Sequence, residues 1–359
     1  MRRWLLRAQG PHAGDAPPLA RLLARRGPRD GRVLRLRLRA GTVVRGRFAP
    51  TPSGRMHLGN VFAALVAWLS ARAEGGEMVL RIEDLDPRAA SHERAELLID
   101  DLRWLGLDWD EGPLWQSGRA ALYDEAIARL DAAGLTYPCF CSRAELHAAS
   151  APHASDGTPV YAGTCRGLSA EEVARRSAVR PPATRLRVPE VGDPAGTIEF
   201  SDLAYGPQRE VLARECGDFL VRRSDGVVAY QLAVVVDDAL MGVTQVVRGR
   251  DLLGSCARQT YLAGLLGWEA PEYGHVPLLV APDGRRLSKR DRDLDLGVLR
   301  ERGVRPERVV GVLAGALGLA EKGWEGPAAE LVGTFSWERV AAHRDDVVCD
   351  AEFLAKLLG

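Results

Sequence analysis

Six cysteines in 359 residues are too few for a disulfide scaffold, and only Cys139 and Cys141 are closely spaced. That scarcity points to a reducing compartment, the cytoplasm. No apolar run approaches the roughly 20 residues that a membrane-spanning helix requires, so no membrane partner is expected. Internal repeats are absent. The first 45 residues lack serine altogether, unlike a transit peptide, and Trp4-Leu5-Leu6 is cut off by Arg7 before the apolar region of a signal peptide can form. Net charge is missing too, with 48 basic against 48 acidic residues, but the balance hides an asymmetry. The leader carries twelve arginines against Asp15 and Asp30, which leaves 36 basic and 46 acidic residues for the remainder. Such a tail can hold RNA phosphates weakly. Gly, Pro, Ala and Arg dominate it, however, and residues 33–39, where Leu and Arg alternate, form its one patterned stretch. Residues 1–45 are therefore expected to be a basic, disordered leader.

What is present is the composition of a globular chain, 46% hydrophobic and 27% charged, long enough for about two domains. From Gly46 onward, short apolar strands alternate with amphipathic helices, the pattern of an α/β fold with a parallel sheet and crossover helices. Residues 47–49 read as a strand. A helix follows, with Phe62, Leu65, Val66 and Leu69 on one stripe and Gly75-Gly76 at its end. Residues 78–82 make a second strand that closes on Glu83-Asp84-Leu85-Asp86, and another helix is expected over about 91–105. After a helix near 120–130 the chain turns to cysteine-bearing loops and short strands such as 184–188. Capping boxes at Ser142/Glu145 and Ser169/Glu172 start short helices there. This middle region reads as an insertion, after which strands return at 219–221, 243–247 and 276–280, with a helix near 255–266.

The segment Ala49-Pro50-Thr51-Pro52-Ser53-Gly54-Arg55-Met56-His57-Leu58-Gly59-Asn60 lies between a strand and a helix start, where backbone N–H groups and the helix dipole favour a phosphate. His57 can donate to phosphate oxygens as charge builds there. Alone, His-x-Gly reads first as a turn with a surface histidine. Arg285-Arg286-Leu287-Ser288-Lys289-Arg290 follows the turn Pro282-Asp283-Gly284. It is either a solvated basic loop or a triphosphate site in which Lys289 neutralises the departing pyrophosphate. Together, and in this order, the two segments resemble the paired His-Ile-Gly-His and Lys-Met-Ser-Lys-Ser signatures of the class I aminoacyl-tRNA synthetases. Asn60 stands where the first signature ends in histidine, and Arg286 where the second begins with lysine. Asn60 still donates a hydrogen bond and Arg286 keeps the charge.

The segments from Gly46 to Gly54, Arg81-Ile82-Glu83-Asp84-Leu85-Asp86 and Val247-Arg248-Gly249-Arg250-Asp251 resemble the glutamyl branch of that family, from Gly46 to about Leu317. The resemblance implies a Rossmann-like nucleotide-binding domain in two halves, 46–108 and 212–285, split by an inserted zinc-binding, acceptor-type domain at 109–211. The signature loop and a short helical segment, 286–359, then end the chain without an anticodon-binding domain. It also implies His57, Asn60 and Lys289 as catalytic residues and His57, Gly59, Asn60, Ser288 and Lys289 as the ATP site, with ATP and Mg2+ as substrate. Glutamate is implied to meet Arg47, Phe48, Ala49, Pro50, Thr51, Glu83, Tyr230 and Arg248, the arginines on carboxylate and Glu83 on the ammonium. A guanidinium fork suits a carboxylate and meets unfavourable N–H groups on glutamine. Taken singly, each of these residues also has a structural reading, as a strand end, a cap or core packing.

Cys139, Cys141, Tyr161 and Cys165 offer three thiols and a phenol, enough for the four positions of a structural Zn2+ with none left for catalysis. Buried free cysteines are the alternative, and Cys216, Cys256 and Cys349 are read as packing residues. The Cys-x-Cys, Tyr-x-x-x-Cys arrangement and the short C-terminal part resemble the glutamyl-queuosine tRNA(Asp) synthetase family. That resemblance implies L-glutamate, ATP and queuosine-bearing tRNA(Asp) as partners of a monomer. Charging of a tRNA 3′ end and a non-catalytic RNA-binding role are the competing readings.

Overall fold

The computed structural model describes residues 34–35, 43–88, 91–142, 145, 160–285 and 295–359. Strand β1 is Leu34–Arg35, β2 is Arg45–Phe48, β3 is Glu77–Ile82 and β4 is Glu111–Trp115. The last three form a parallel sheet in the order β2-β3-β4. Strands β2 and β3 are almost wholly buried along their length, as strands covered on both faces should be. Helix α1 (Leu58–Ala73) crosses from β2 to β3, and α2 (His92–Trp104), capped by the Ser91 hydroxyl on Arg94 N, crosses from β3 to β4. At the end of α1 the amides of Gly75 and Gly76 return to Arg72 O and Ala71 O. Gly75 has φ +63°, and a Cβ on Gly76 would lie 2.2 Å from Val44 O, so the chain reverses tightly there.

Beyond α3 (Ala120–Ala132), strand β5 (Thr136–Cys139), α4 (Ala170–Ser177) and β6 (Ala183–Leu186) lead to the hairpin of β7 (Thr197–Asp202) and β8 (Gly206–Val211). Helix α5 (Leu212–Glu215) and β9 (Phe219–Arg222) precede α6 (Tyr230–Leu240), β10 (Gln245–Gly249), α7 (Cys256–Leu265) and β11 (Glu272–Val276). β10 and β11 pair in parallel over their whole length, and β7 joins β11 through Tyr273 and Asp202. The two parallel sheets meet at β2 and β10, where Thr244 N donates to Arg45 O at 3.0 Å and Arg47 Nη1 to Val247 O at 2.9 Å. One side of that seam continues to β3 and β4, the other to β11 and β7. The sheet order thus reverses at the seam, the position where α/β folds open a crevice beyond the carboxyl ends of their strands.

The last part of the chain packs β12 (Leu279–Val280), α8 (Leu296–Glu301), α9 (Pro306–Ala316), α10 (Trp337–Ala342), β13 (Val347–Val348) and α11 (Ala351–Leu358) beside α1 and the seam. One apolar core joins α1, α2, β2 and β3 to these helices; another lies among α3, α6, α7 and β10. No described helix is long and apolar enough to cross a membrane.

Several expectations need revising. The strand expected over 276–280 is two strands, because Pro277 has no N–H for the ladder; β11 stops at Val276 and β12 pairs with β13. The strands do not change partners at 211/212. β7, read as part of the insertion, joins β11, whereas β9, read as part of the second nucleotide half, pairs antiparallel with β6, itself paired with β5. In the leader, Leu34–Arg35 pairs in parallel with Ile198 and Glu199, so this stretch of the expected disordered segment is a strand. The remaining residues up to 42 lie outside the described residues. Of the two capping boxes, Ser142/Glu145 is reciprocal, Ser142 N donating to Glu145 Oε2 at 2.6 Å and Glu145 N to Ser142 Oγ at 3.2 Å. At Ser169 only the hydroxyl half forms, since the Glu172 carboxylate turns to Arg175 and Arg176.

Candidate active site

A cleft of about 570 Å3 opens at the β2–β10 seam, within the range of a small-molecule site. The end of β2 and the loop after it supply Arg47, Phe48, Ala49, Pro50 and Thr51 to its wall. The start of α1 supplies His57, Gly59 and Asn60, the end of β3 supplies Glu83, the first turn of α6 Tyr230, and β10 Arg248. Every described residue expected at the glutamate and ATP sites therefore lines one cavity. Ser288 and Lys289, with Arg286 and Arg290, lie outside the described residues.

The loop before α1 is fastened from below. The buried Asp101 carboxylate on α2 accepts Met56 N at 2.9 Å and Arg55 Nη1 at 2.5 Å, and Arg300 Nη1 on α8 at 3.2 Å. Leu296 N donates to Met56 O at 3.1 Å, and Asp295 forms a β-bridge with His57. The element that follows residues 286–294 is thus tied directly to the His57 loop.

The charged groups beneath the cleft are buried and mostly paired. Arg81, fully buried on β3, donates to Asp238 Oδ1 at 2.6 Å and to Glu83 Oε1 at 3.0 Å, with Asp237 at 3.8 Å. Burial opposes its charge, but Asp238, Glu83 and Asp237 hold its pKa above the ordinary guanidinium value. Burial raises the Glu83 carboxyl above its usual value, with Arg81 opposing. Asp237 accepts Gln116 Nε2 at 2.7 Å, Arg119 Nε at 2.7 Å and Tyr123 Oη at 2.8 Å. Arg47 has Asp238 at 3.9 Å and leaves Nε without a hydrogen-bond partner; Arg248 leaves Nη1 without one. Arg47 and Arg248 thus place two buried, incompletely paired cations in the wall of one cleft, which favours anionic oxygens there, because an unpaired buried donor carries its full desolvation cost. Arg81, Asp237 and Asp238 were not singled out in the sequence, although two adjacent carboxylates ending the apolar run 232–236 were a visible signal.

A second cluster sits on β5 and the loops facing it. The Sγ atoms of Cys139, Cys141 and Cys165 lie within 4.8 Å of one another. Tyr161 Oη is 3.5 Å from Cys139 Sγ and 3.6 Å from Cys141 Sγ, and it accepts Cys165 N at 2.8 Å. Arg185 Nε donates to Cys139 Sγ at 3.2 Å, and its guanidinium lies 3.7 Å from the Tyr161 ring centre. Tetrahedral vertices around an ion with bonds of about 2.3 Å are about 3.8 Å apart, so the donor set fits one four-coordinate metal. Cys256, read as mere packing, is a partner of Arg248 at 3.1 Å.

Comparison with known proteins agrees with this arrangement. Residues 43–325 match the catalytic domain of the tRNA synthetases class I (E and Q). A glutamyl-Q tRNA(Asp) synthetase of Symbiobacterium thermophilum is 50% identical over 326 residues, 88% of this chain and 98% of that protein. The protein of the same name from Nitratidesulfovibrio vulgaris is 49% identical over 287 residues, 77% of this chain and 87% of its own. Glutamate–tRNA ligase 2 of Alkalilimnicola ehrlichii is 46% identical over 283 residues, but these cover 58% of its length. The crystal structure of a glutamate tRNA ligase from Elizabethkingia meningosepticum in complex with its amino acid superposes with a TM-score of 0.71 at 27% identity, over 87% of this chain and 68% of that one. The chain belongs to the class I tRNA synthetases of the E and Q type and, within them, to the glutamyl-Q tRNA(Asp) synthetase family.

Proposed function

We propose that the chain activates L-glutamate with ATP as glutamyl-adenylate and transfers the glutamyl group to the queuosine base of tRNA(Asp). The observation that carries the amino-acid half is the charge inventory of the cleft. Arg47 and Arg248 set two cations, one for each glutamate carboxylate, in a wall that also carries the carboxylates of Glu83 and Asp251, and each arginine keeps one buried nitrogen without a hydrogen-bond partner. Glutamate, with two carboxylates and one ammonium, brings one net negative charge. In this reading Arg47 and Arg248 take carboxylate oxygens and Glu83 takes the ammonium, while Tyr230 and residues 48–51 shape the wall. The glutamate α-carboxylate attacks the α-phosphorus of ATP, an O–P bond forms, and pyrophosphate leaves with the electrons of the broken P–O bond. His57, Gly59 and Asn60 hold the nucleotide at the start of α1, where the helix dipole favours phosphate, and Ser288 and Lys289 complete the site for pyrophosphate. Mg2+ accompanies the triphosphate. A hydroxyl of the queuosine ring then attacks the mixed anhydride and AMP departs.

Cys139, Cys141, Tyr161 and Cys165 would hold one Zn2+ as a structural ion with no open position, supplying rigidity to the loops of the insertion rather than a reacting group. The relatives named for tRNA(Asp) support this acceptor, and the chain spans 98% of the length of one and 87% of another. The decisive experiment is transfer of labelled glutamate to total tRNA from cells with and without queuosine. Labelling confined to queuosine-bearing tRNA, with the label mapped by mass to the anticodon fragment, is expected. Labelling of a 3′-terminal adenosine would favour the glutamate–tRNA ligase reading instead.

A further inference from the structure

Arg248 reaches the cleft from a position that other groups determine. It is buried on β10, and its direct parallel partner on β11 is His275. Arg248 Nε donates to His275 Nε2 at 3.1 Å, and Nη2 donates to Leu252 O and Cys256 Sγ, both at 3.1 Å. The Tyr273 ring lies 5.5 Å from the guanidinium carbon. Nη1 alone remains unpaired. His275 is fully buried, and its Nδ1 is 2.5 Å from Asp202 Oδ2 at the end of β7. Neither His275 nor Asp202 lines the cleft.

These contacts dictate the tautomer. An arginine Nε–H can only donate, so His275 Nε2 must accept, and the ring proton must sit on Nδ1 and be donated to Asp202. Asp202 has no alternative orientation, because its Oδ1 already accepts Ala204 N at 3.0 Å, Tyr205 N at 2.9 Å and His275 N at 3.3 Å. We propose that Asp202 and His275 are positioning residues that fix the guanidinium of Arg248, and through it the recognition of the glutamate carboxylate. The inference rests on the reading of the cleft as a glutamate site. Three neighbouring strands, β7, β11 and β10, each contribute one member, so the fork is aimed by the sheet itself. Burial also pulls the imidazole below its ordinary pKa, in keeping with a neutral ring.

Asp202→Asn provides a test that removes almost no volume. The backbone donors keep the carbonyl of the new amide, so its NH2 faces His275 Nδ1. The ring must then accept at Nδ1 and carry its proton on Nε2, where it opposes the N–H of Arg248. The expected result in ATP–pyrophosphate exchange is a roughly ten- to hundredfold rise in the glutamate KM, the scale of one lost hydrogen bond to a charged group. The ATP KM and the kcat at saturating glutamate should change little. His275→Leu should behave likewise, and His275→Gln, which keeps a carbonyl acceptor, should fall closer to the wild type. Imidazole nitrogen shifts in 15N NMR should report the Nε2–H form in Asp202→Asn. An unchanged glutamate KM in folded Asp202→Asn and His275→Leu would overturn the positioning role alone. Wild-type protein without glutamate-dependent exchange would instead overturn the reading of the cleft.

Discussion

Arg248 leaves one nitrogen unpaired in a dry wall, and the consequence of removing it is predictable. In Arg248→Ala a carboxylate entering the site loses its cationic partner without regaining water, which costs about 2 to 5 kcal/mol. Glutamate dependence in pyrophosphate exchange should weaken by roughly thirtyfold to several thousandfold, with a much smaller change in ATP dependence. An unchanged response to glutamate concentration would show that the carboxylate binds elsewhere. His275 adds a pH dependence to stability. Burial lowers its pKa beneath the ordinary 6.5, despite Asp202, while Arg248 and Arg47 oppose a further positive charge. The unfolded chain therefore takes up a proton at a higher pH than the native chain. Stability contributed by the neutral ring is complete above the ordinary value and is lost as the pH falls below it. Asp202, whose pKa is held below 3.8 by His275 and backbone donors against burial, has the same sign in more acid solution. Thermal unfolding should show a falling Tm between pH 7.5 and 5.5, and the fall should be shallower in His275→Gln. Arg47, Glu83 and Arg248 were legible as cleft residues because each sits in a short segment with a recognisable order of residues, whereas Tyr230 came from the family resemblance alone. Asp202, His275 and Asp238 were not, since what defines them is pairing between elements distant in sequence.

Elements were legible where their period was local and obscure where a distant partner decided them. The stripe of α1, the span of α2 and the strand β3 all followed from spacing. β4 and β8 did not, because each carries Gly-Pro and becomes a strand through the sheet it joins, and β7, where Ile198 and Phe200 alternate with polar residues, was a signal left unread. α10 illustrates another contact hidden from the sequence. Trp337 Nε1 donates to Ser70 Oγ on α1 at 2.9 Å, and its ring lies where a Cβ on Gly274 of β11 would fall, 2.4 Å from the nearest ring carbon. Gly274→Ala should destabilise the protein by about 1 to 3 kcal/mol through overpacking, and the Trp337→Leu background should reduce that penalty. Equal penalties in the two backgrounds, measured by denaturant unfolding, would disprove the contact. The cysteine loops form a separate small cluster with Tyr137, Phe140 and Leu168, too small to be held by apolar packing alone. Cys139→Ser or Cys165→Ser should lower the zinc content of protein purified without chelator and impair transfer to RNA before adenylate formation. Metal analysis that finds no zinc in the unsubstituted chain would defeat this assignment.

At the scale of the whole molecule, the cleft and the basic leader are separable in sequence, because every residue lining the cleft lies at or beyond Arg47. Arg45, by contrast, belongs to the fold, since its amide donates to Thr244 Oγ1 at 2.8 Å and its side chain to Met241 O at 2.8 Å. A chain starting at residue 43 should retain glutamate-dependent pyrophosphate exchange, and its loss in folded truncated protein would refute this separation. The remainder from residue 46 holds 36 basic and 46 acidic residues, so RNA must be met by local arginines against an unfavourable overall field. The pairing of β12 with β13 has a further consequence, for synthesis on the ribosome. Val347 N donates to Leu278 O and Cys349 N to Val280 O, both at 2.8 Å, and Asp346 receives Leu278 N at 3.0 Å. Leu278 and Leu279 are cleft wall. A nascent chain can assemble both sheets while this wall still lacks its outer strand, so the cleft is finished only when residues 346–349 have left the exit tunnel. Chains arrested before Asp346 should be cut by protease near residues 278–280, whereas chains arrested with residues 346–349 outside the tunnel should resist.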